Sequence, residues 1–271
     1  MAWCREGGSL MVTPILDPVE AYALWAAEYP PWAHNPLMQA EERAMLSLLP
    51  DDLRGKVVCD AGCGSGRYLR HARRRGAAAL IGLDLSEAML QRARETILQG
   101  GPDDSAVFAG ACTVESRREI VRQTEASEFA VPQLAIADLN ALPLTSQCAD
   151  LTLCGLTLGH LSDLDGPLSE LRRITRPGSR ILCSELHPSG QERGWERTFK
   201  VEGRRFAVRH HWRSVNEWKA AFRRVGLTVT RMLEPYLNSG DVPKEARFDP
   251  AALTVPVALV FELRHEEWYR G

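Results

Sequence analysis

The chain has 271 residues, with 33 Lys and Arg against 35 Asp and Glu and a formal charge of −2. That length buries a substantial core and suits one α/β domain with insertions better than two complete domains. The charge lacks the strong basic excess of a dedicated nucleic-acid binder. No run is long and apolar enough to span a bilayer and the N-terminus has no apolar signal core, so the expected setting is cytoplasmic, without membrane or nucleic-acid partners.

Seven cysteines stand at 4, 59, 63, 112, 148, 154 and 183 with no Cys-x-x-Cys pair. Their odd count and scattered spacing fit a reduced compartment, and no metal site is expected.

Residues 1–19 read as irregular, with Met11 a second candidate start. Tyr22, Trp25, Tyr29, Trp32 and His34 then cluster around Pro30-Pro31. An amphipathic helix follows over 37–49, with Leu37, Ala40, Ala44 and Leu48 at helical spacing, and Pro50 ends it. The strand 56–59 runs into Asp60, then Gly62-Cys63-Gly64-Ser65-Gly66, then a helix over 68–75 closed by Gly76. Glycine admits left-handed backbone angles and lets a ligand touch the main chain. A strand turning through such a loop into a helix makes a site for a nucleotide-like or amino-acid-bearing ligand. The plain alternative is a tight turn with no ligand. A dinucleotide loop of Gly-x-Gly-x-x-Gly form needs a third small residue at position 67, and Arg67 stands there. The run Arg70, Arg73, Arg74, Arg75 reads as a solvated face complementing the helix dipole.

The second apolar strand, 79–83, ends at Asp84, and Ser86 can cap a helix over 87–99. Asp84 lies one helix and one strand beyond Gly66, where a carboxylate can accept from both hydroxyls of a ribose. Residues 100–131 interrupt the alternation. They contain a charged stretch, 113–125, suited to an exposed helix, and emerge away from the ligand loops as decoration or an interface. A third strand, 134–137, leads into Asp138-Leu139-Asn140-Ala141-Leu142-Pro143. A fourth, 150–154, leads into Gly155 and on to His160. Helix 167–175 turns through Arg176-Pro177-Gly178-Ser179 into a fifth strand, 180–185, ending in Glu185-Leu186-His187-Pro188. A long segment reaches 213 before Ser214 and Glu217 form a capping box for a helix with Trp218, Ala221, Phe222 and Val225 as its stripe. Strands over 227–233 and 256–263 complete the chain.

The stretch from Val57 to Arg67 resembles motif I of class I S-adenosylmethionine-dependent methyltransferases, apolar–apolar–x–Asp–x–Gly–Cys–Gly–x–Gly. The segment from Asp138 to Pro143 resembles the family's Asp-x-x-x-Leu-Pro segment. The turn at 176–179 resembles its Pro-Gly-Gly turn, with Ser179 replacing the second glycine. The similarity, to the methyltransferase-11-like small-molecule group, covers about 37–233 with the insertion excepted.

It implies a Rossmann-like seven-stranded sheet, mostly parallel with an antiparallel last strand, with helices on both faces and an aromatic-rich cap. One domain over 1–271 would comprise a cap segment at 1–36, the insertion at 100–131, and cap segments at 186–213 and 235–251. The implied cofactor is S-adenosyl-L-methionine. Its implied contacts are Asp60, Gly62, Cys63, Gly64, Gly66, Asp84 for the ribose, Leu85, Met89, Asp138 and Leu139 for the adenine, and Gly155. The Asn/Asp-Pro-Pro-aromatic motif of enzymes acting on DNA-base amines is missing after residue 154, which counts against that substrate class.

Aromatic residues in the three cap segments point to a small, apolar or aromatic acceptor methylated on O, N or C. Tyr22, Trp25, Tyr29, Trp32, His187, Trp195 and His211 are the candidate acceptor contacts, though the same rings can serve as a mini-core for the cap. For an acceptor that must lose a proton, His187 is the first candidate base, with His210, His160, His211 and Glu185 nearby. His187 can equally order the Pro188 turn, and His160 can equally pack beneath the next helix. Two other functions compete: a methyltransferase fold that binds the cofactor as a sensor or scaffold, and a dinucleotide-dependent oxidoreductase, against which Arg67 counts.

Overall fold

The computed structural model describes residues 13–98, 132–241 and 250–265. Met11, the insertion from 100 to 131 and most of the loop after Asp241 lie outside the described residues.

Seven strands form the central sheet: β2 (Val57–Ala61), β3 (Ala79–Asp84), β4 (Gln133–Ile136), β5 (Ala149–Gly155), β6 (Thr175–Leu186), β9 (Thr228–Leu233) and β10 (Ala258–Arg264). Their order is β4-β3-β2-β5-β6-β10-β9. The pairs from β4 to β6 are parallel, and β10 runs antiparallel to both β6 and β9. The order reverses between β2 and β5, which opens a crevice at their carboxyl ends where ligands of open α/β sheets bind.

Both faces of the sheet are covered, and the period-two alternation of each strand assigns its residues. Val57, Cys59 and Ala61 face α5 (Asp165–Ile174) and α7 (Val215–Arg224), in one cluster with Leu168, Ile174, Trp218 and Phe222. Val58 faces the other way, with Met45 of α2 (Pro36–Leu48), Leu69 of α3 (Arg67–Arg74) and Ala93 of α4 (Glu87–Leu98). Strands buried on both sides read as continuous apolar runs, which is why β2 and β3 are plain in the sequence. Local signals set the helix ends. The Asn35 side chain accepts from Met38 N at 2.9 Å with Pro36 in the first turn, and Ser214 with Glu217 forms the expected capping box.

The cap departs from the sequence reading in two places. Within 1–19, expected to be irregular, β1 (Ile15–Leu16) and the first turn of α1 (Pro18–Trp25) are formed. The segment after β6 holds a single-turn α6 (Ser189–Glu192) and a hairpin of β7 (Thr198–Val201) and β8 (Arg204–Val208), to which β1 adds a parallel third strand. The hairpin closes through Glu202-Gly203 with φ of 50° and 76°, the two left-handed residues that a tight hairpin requires.

Candidate active site

One cleft opens at the carboxyl ends of β2, β3 and β5 and is roofed by the cap. Its empty space is about 1010 Å³ with the open mouth included.

The floor is the loop after β2. Gly62 N and Cys63 N both donate to Leu83 O, at 2.7 and 2.9 Å, tying the loop to the end of β3. Gly62, Gly64 and Gly66 all have positive φ, of 76°, 53° and 76°. They are glycine for different reasons. A Cβ on Gly62 would collide with the Thr157 side chain, and one on Gly66 would lie 2.7 Å from Ile97 Cδ1. Gly64 has only Met89 Cε within reach, at 3.6 Å, so its main chain is bare towards the cleft. Gly66 caps α3 and packs against α4, and it does not line the cleft.

Two carboxylates flank this floor. Asp84 accepts Gly64 N at 2.8 Å on Oδ2 and Ser86 N at 2.9 Å on Oδ1, which fixes its plane and leaves further lone pairs for hydroxyl donors. Burial raises its pKa, and the backbone donors from Ser86 and Gly64 work against that rise. Asp60 is buried, and among the described residues neither of its oxygens has a hydrogen-bond partner. Burial pushes its pKa to about 8, Arg67 pulls it down, and Asp84 and Glu41 add to the rise. An orphaned carboxyl beside a bare glycine backbone fits the ammonium end of an amino-acid-bearing ligand. Asp84 fits its sugar, and Asp138, whose Oδ1 accepts Asn140 N at 2.8 Å at the exposed edge of the cleft, fits a base.

The roof comes from α1, the 3₁₀ turn Leu158–His160 and the segment entering β7. His160 Nδ1 lies 2.9 Å from Arg209 O, which only accepts, so Nδ1 carries the ring proton and Nε2 offers a lone pair. Tyr22 OH stands 3.2 Å and Arg197 Nη1 3.1 Å from that Nε2. Burial and the Arg197 charge lower the His160 pKa well below the usual imidazole range, so the ring is neutral.

Residues 59–183 match the family model described as a methyltransferase domain. This stretch, from β2 into β6, is similar to class I S-adenosylmethionine-dependent methyltransferase domains. An S-adenosylmethionine-dependent methyltransferase from Mesorhizobium loti superimposes with a TM-score of 0.58 at 25% identity, covering 83% of this chain and 98% of that one. The malonyl-[acyl-carrier protein] O-methyltransferase of Yersinia pestis is 30% identical over 168 residues, 62% of this chain and 51% of that protein. Its counterpart in Salmonella typhimurium is 32% identical over 153 residues, 56% and 47% respectively. The chain thus spans about half the length of these two relatives.

Of the residues expected to hold the cofactor of the methyltransferase domain, Asp60, Gly62, Cys63, Gly64, Asp84, Leu85, Met89, Asp138, Leu139 and Gly155 line the cleft. Among the acceptor candidates, only Tyr22 and Tyr29 do. Trp25 stacks on Phe199 with ring centroids 4.9 Å apart, inside a cap mini-core with Phe206 and Val208. Trp32 is 57% exposed, and Trp195 packs with Leu37, Leu186 and Val257 instead. His187 stands outside the cleft lining: its Nδ1 accepts Ser189 N at 3.1 Å and its Nε2 meets Glu234 at 3.1 Å, which orders the Pro188 turn. His210 and His211 also stand back. Burial, with Arg197 and Arg213, takes the His210 pKa down to about 3, and His211 N ties the cap to Gly159 O at 2.7 Å. Of the five candidate bases, His187, His210, His160, His211 and Glu185, only His160 lines the cleft.

Sequence reasoning passed over Met38, Arg67, Thr157 and Arg197, all of which line it. Arg67 enters only as an obstacle to dinucleotide binding. In the structure it pairs with buried Glu41 at 2.9 Å, and Glu41 also takes the hydroxyls of Tyr68 and Ser184. For Arg197 a signal existed: it sits two residues from Trp195 and two from Phe199, at the spacing of one inward face.

Proposed function

We propose that the chain transfers a methyl group from S-adenosyl-L-methionine to a small acceptor with an apolar or aromatic body, on O, N or C. The observation that carries this reading is continuity. The orphaned Asp60, the bare loop at Gly64 and the ribose-suited Asp84 share a single cleft with Tyr22, Tyr29, His160 and Leu161 of the roof. When bound, the cofactor supplies a methyl group already activated on a sulfonium.

What remains for the protein is binding, alignment and exclusion of water, which bring large rate gains in a displacement of this kind. Asp84 accepts the ribose hydroxyls and Asp138 the adenine amine. Asp60 takes the α-ammonium, and the Gly62–Gly64 backbone lets the methionyl chain lie against it. Tyr22, Tyr29 and Leu161 shield the transfer from bulk water. His160 Nε2 would accept a proton from an acceptor hydroxyl once that hydroxyl takes the place of the Arg197 and Tyr22 groups now at its lone pair. Acids join the acceptors worth testing, since the Yersinia pestis relative is named for O-methylation of a malonyl group.

Isothermal titration tests the reading directly. S-adenosylmethionine should bind and NAD should not, and radiolabelled methyl should pass to acceptors from a panel of phenols, amines and acids. Binding without transfer to any acceptor would leave the sensor reading; binding of NAD alone would overturn both.

A further inference from the structure

Two buried arginines line the cleft, and only one has a counter-ion. Arg67 is neutralised by Glu41 at 2.9 Å and Glu42 at 3.5 Å. Arg197 is 6% exposed, and among the described residues no carboxylate lies within ion-pair distance of it. Its Nη1 donates to Leu156 O at 2.9 Å and to the lone pair of His160 Nε2, the Tyr29 hydroxyl also meets the guanidinium, and Glu185 acts on it only from beyond ion-pair distance, while among the described residues its Nε has no partner. The Tyr22 ring lies 5.5 Å from its Cζ.

A guanidinium keeps its charge at any working pH. Burying it with only neutral partners costs several kcal/mol. A sulfonium in the same cleft would add a second positive charge. The cofactor's carboxylate comes with an ammonium as well as the sulfonium and leaves the cleft more positive, which assigns the missing negative charge to the acceptor.

We propose that Arg197 is a specificity-determining residue of the acceptor site, and that the methyl acceptor carries a carboxylate which this guanidinium holds. This rests on the methyl-transfer reading above. The planar guanidinium fork matches the planar carboxylate. A single cation with the phenols of Tyr22 and Tyr29 beside it suits a monoanion, since a dianion would want a second unpaired cation. Tyr22, Leu156 and Leu161 supply the apolar wall for the rest of the acceptor.

The test uses binding, so it does not wait for the natural acceptor. Protein saturated with S-adenosylhomocysteine is titrated with two isosteric pairs, phenylacetate against phenylacetamide and hexanoate against hexanamide. Charged hydrogen bonds contribute about 1.5–3 kcal/mol, so each acid should bind at least about tenfold more tightly than its amide. Arg197→Met should bring acid and amide within about twofold, and Arg197→Lys, which keeps the charge but not the fork, should retain part of the preference. Affinity for S-adenosylhomocysteine alone should stay near the wild-type value in both variants. Equal binding of acid and amide by the wild type, for both pairs, overturns the proposal. So does a comparable loss of S-adenosylhomocysteine affinity in Arg197→Met with no acid present, since the guanidinium would then serve the cofactor's own carboxylate. Failure of the wild type to bind S-adenosylhomocysteine would instead remove the methyl-transfer reading.

Discussion

Replacing Asp60 with Asn should uncouple cofactor binding from proton release. The carboxyl is buried with both oxygens unpartnered, and burial holds its pKa at about 8. At pH 7 such a group is roughly 0.9 protonated in the empty protein. An α-ammonium set against it favours the carboxylate, so binding should expel roughly 0.9 proton at pH 7, and affinity should rise about eightfold per pH unit there. Towards pH 8 the gain fades, because less proton remains to expel. Titration calorimetry with S-adenosylhomocysteine in phosphate and in Tris reads the proton count from the difference in apparent enthalpy. Asp60→Asn should release none, bind more weakly at pH 7.5 and show flat affinity over the same range. If the wild type binds without releasing a proton, or the Asn variant releases as many, the pairing of Asp60 with the ammonium is wrong.

Asp84→Ala should weaken S-adenosylhomocysteine binding by about 10- to 100-fold, the worth of charged hydrogen bonds to a sugar, and wild-type affinity would remove the ribose role. Gly62→Ala forces a Cβ into the Thr157 side chain at a φ of 76°, so it should cost roughly 1–3 kcal/mol in chemical denaturation. Thr157→Ala in the same chain should return part of that; no recovery would mean that backbone strain alone is responsible. With an acceptor in hand, His160→Ala should slow turnover with cofactor affinity kept, whereas His187→Ala should leave turnover within about threefold; the reverse pattern would restore the residue after β6 as the base.

Sheet and floor were legible because their signals are local. β2, Asp60 and the glycines are contiguous, and Asp84 and Asp138 each follow an apolar strand whose length fixes where the acid emerges. The roof was not legible for the opposite reason. Tyr22, His160 and Arg197 are separated by 138 and 37 residues in their mutual hydrogen bonds. Nothing in the local pattern says which aromatics of the cap turn inward. Trp25 and Trp32 look alike as sequence, yet one is locked in a stack with Phe199 and the other is exposed. His187 misled by position, since a residue directly after a parallel strand normally faces the crevice. The Ser189 amide and Glu234 hold its ring elsewhere. The hairpin of β7 and β8 did leave a trace in Glu202-Gly203 between alternating residues, short enough to pass for a loop.

Two kinds of buried titratable group make opposite demands on the cofactor-free protein, and their balance predicts its pH profile. Burial raises Asp60 to about 8 and Glu185 to about 7, so each keeps a proton in the native state that the unfolded chain gives up. Stability from these two is fully present below pH 4 and is lost as pH rises through the folded values, by about 1.4 kcal/mol per unit for each. Burial lowers His160 well below the imidazole range and takes His210 to about 3, so the unfolded chain binds protons there that the native state refuses. Their contribution is present above about pH 6.5 and is lost as pH falls. Between about pH 5 and 6 the raised acids, Asp84 among them, oppose the lowered imidazoles, His34 among them, and stability should change little. Above about pH 6.5 the imidazole slope fades while the acid slope persists, so the empty protein should lose roughly 1–2 kcal/mol by pH 8. Saturation with S-adenosylhomocysteine should remove the Asp60 share of that decline, because linkage requires the same proton to appear in binding and in stability. Urea unfolding at half-unit steps, with and without ligand, reads both curves. A cofactor-free protein that gains stability from pH 6.5 to 8 would show that Asp60 is ionised before any ligand arrives.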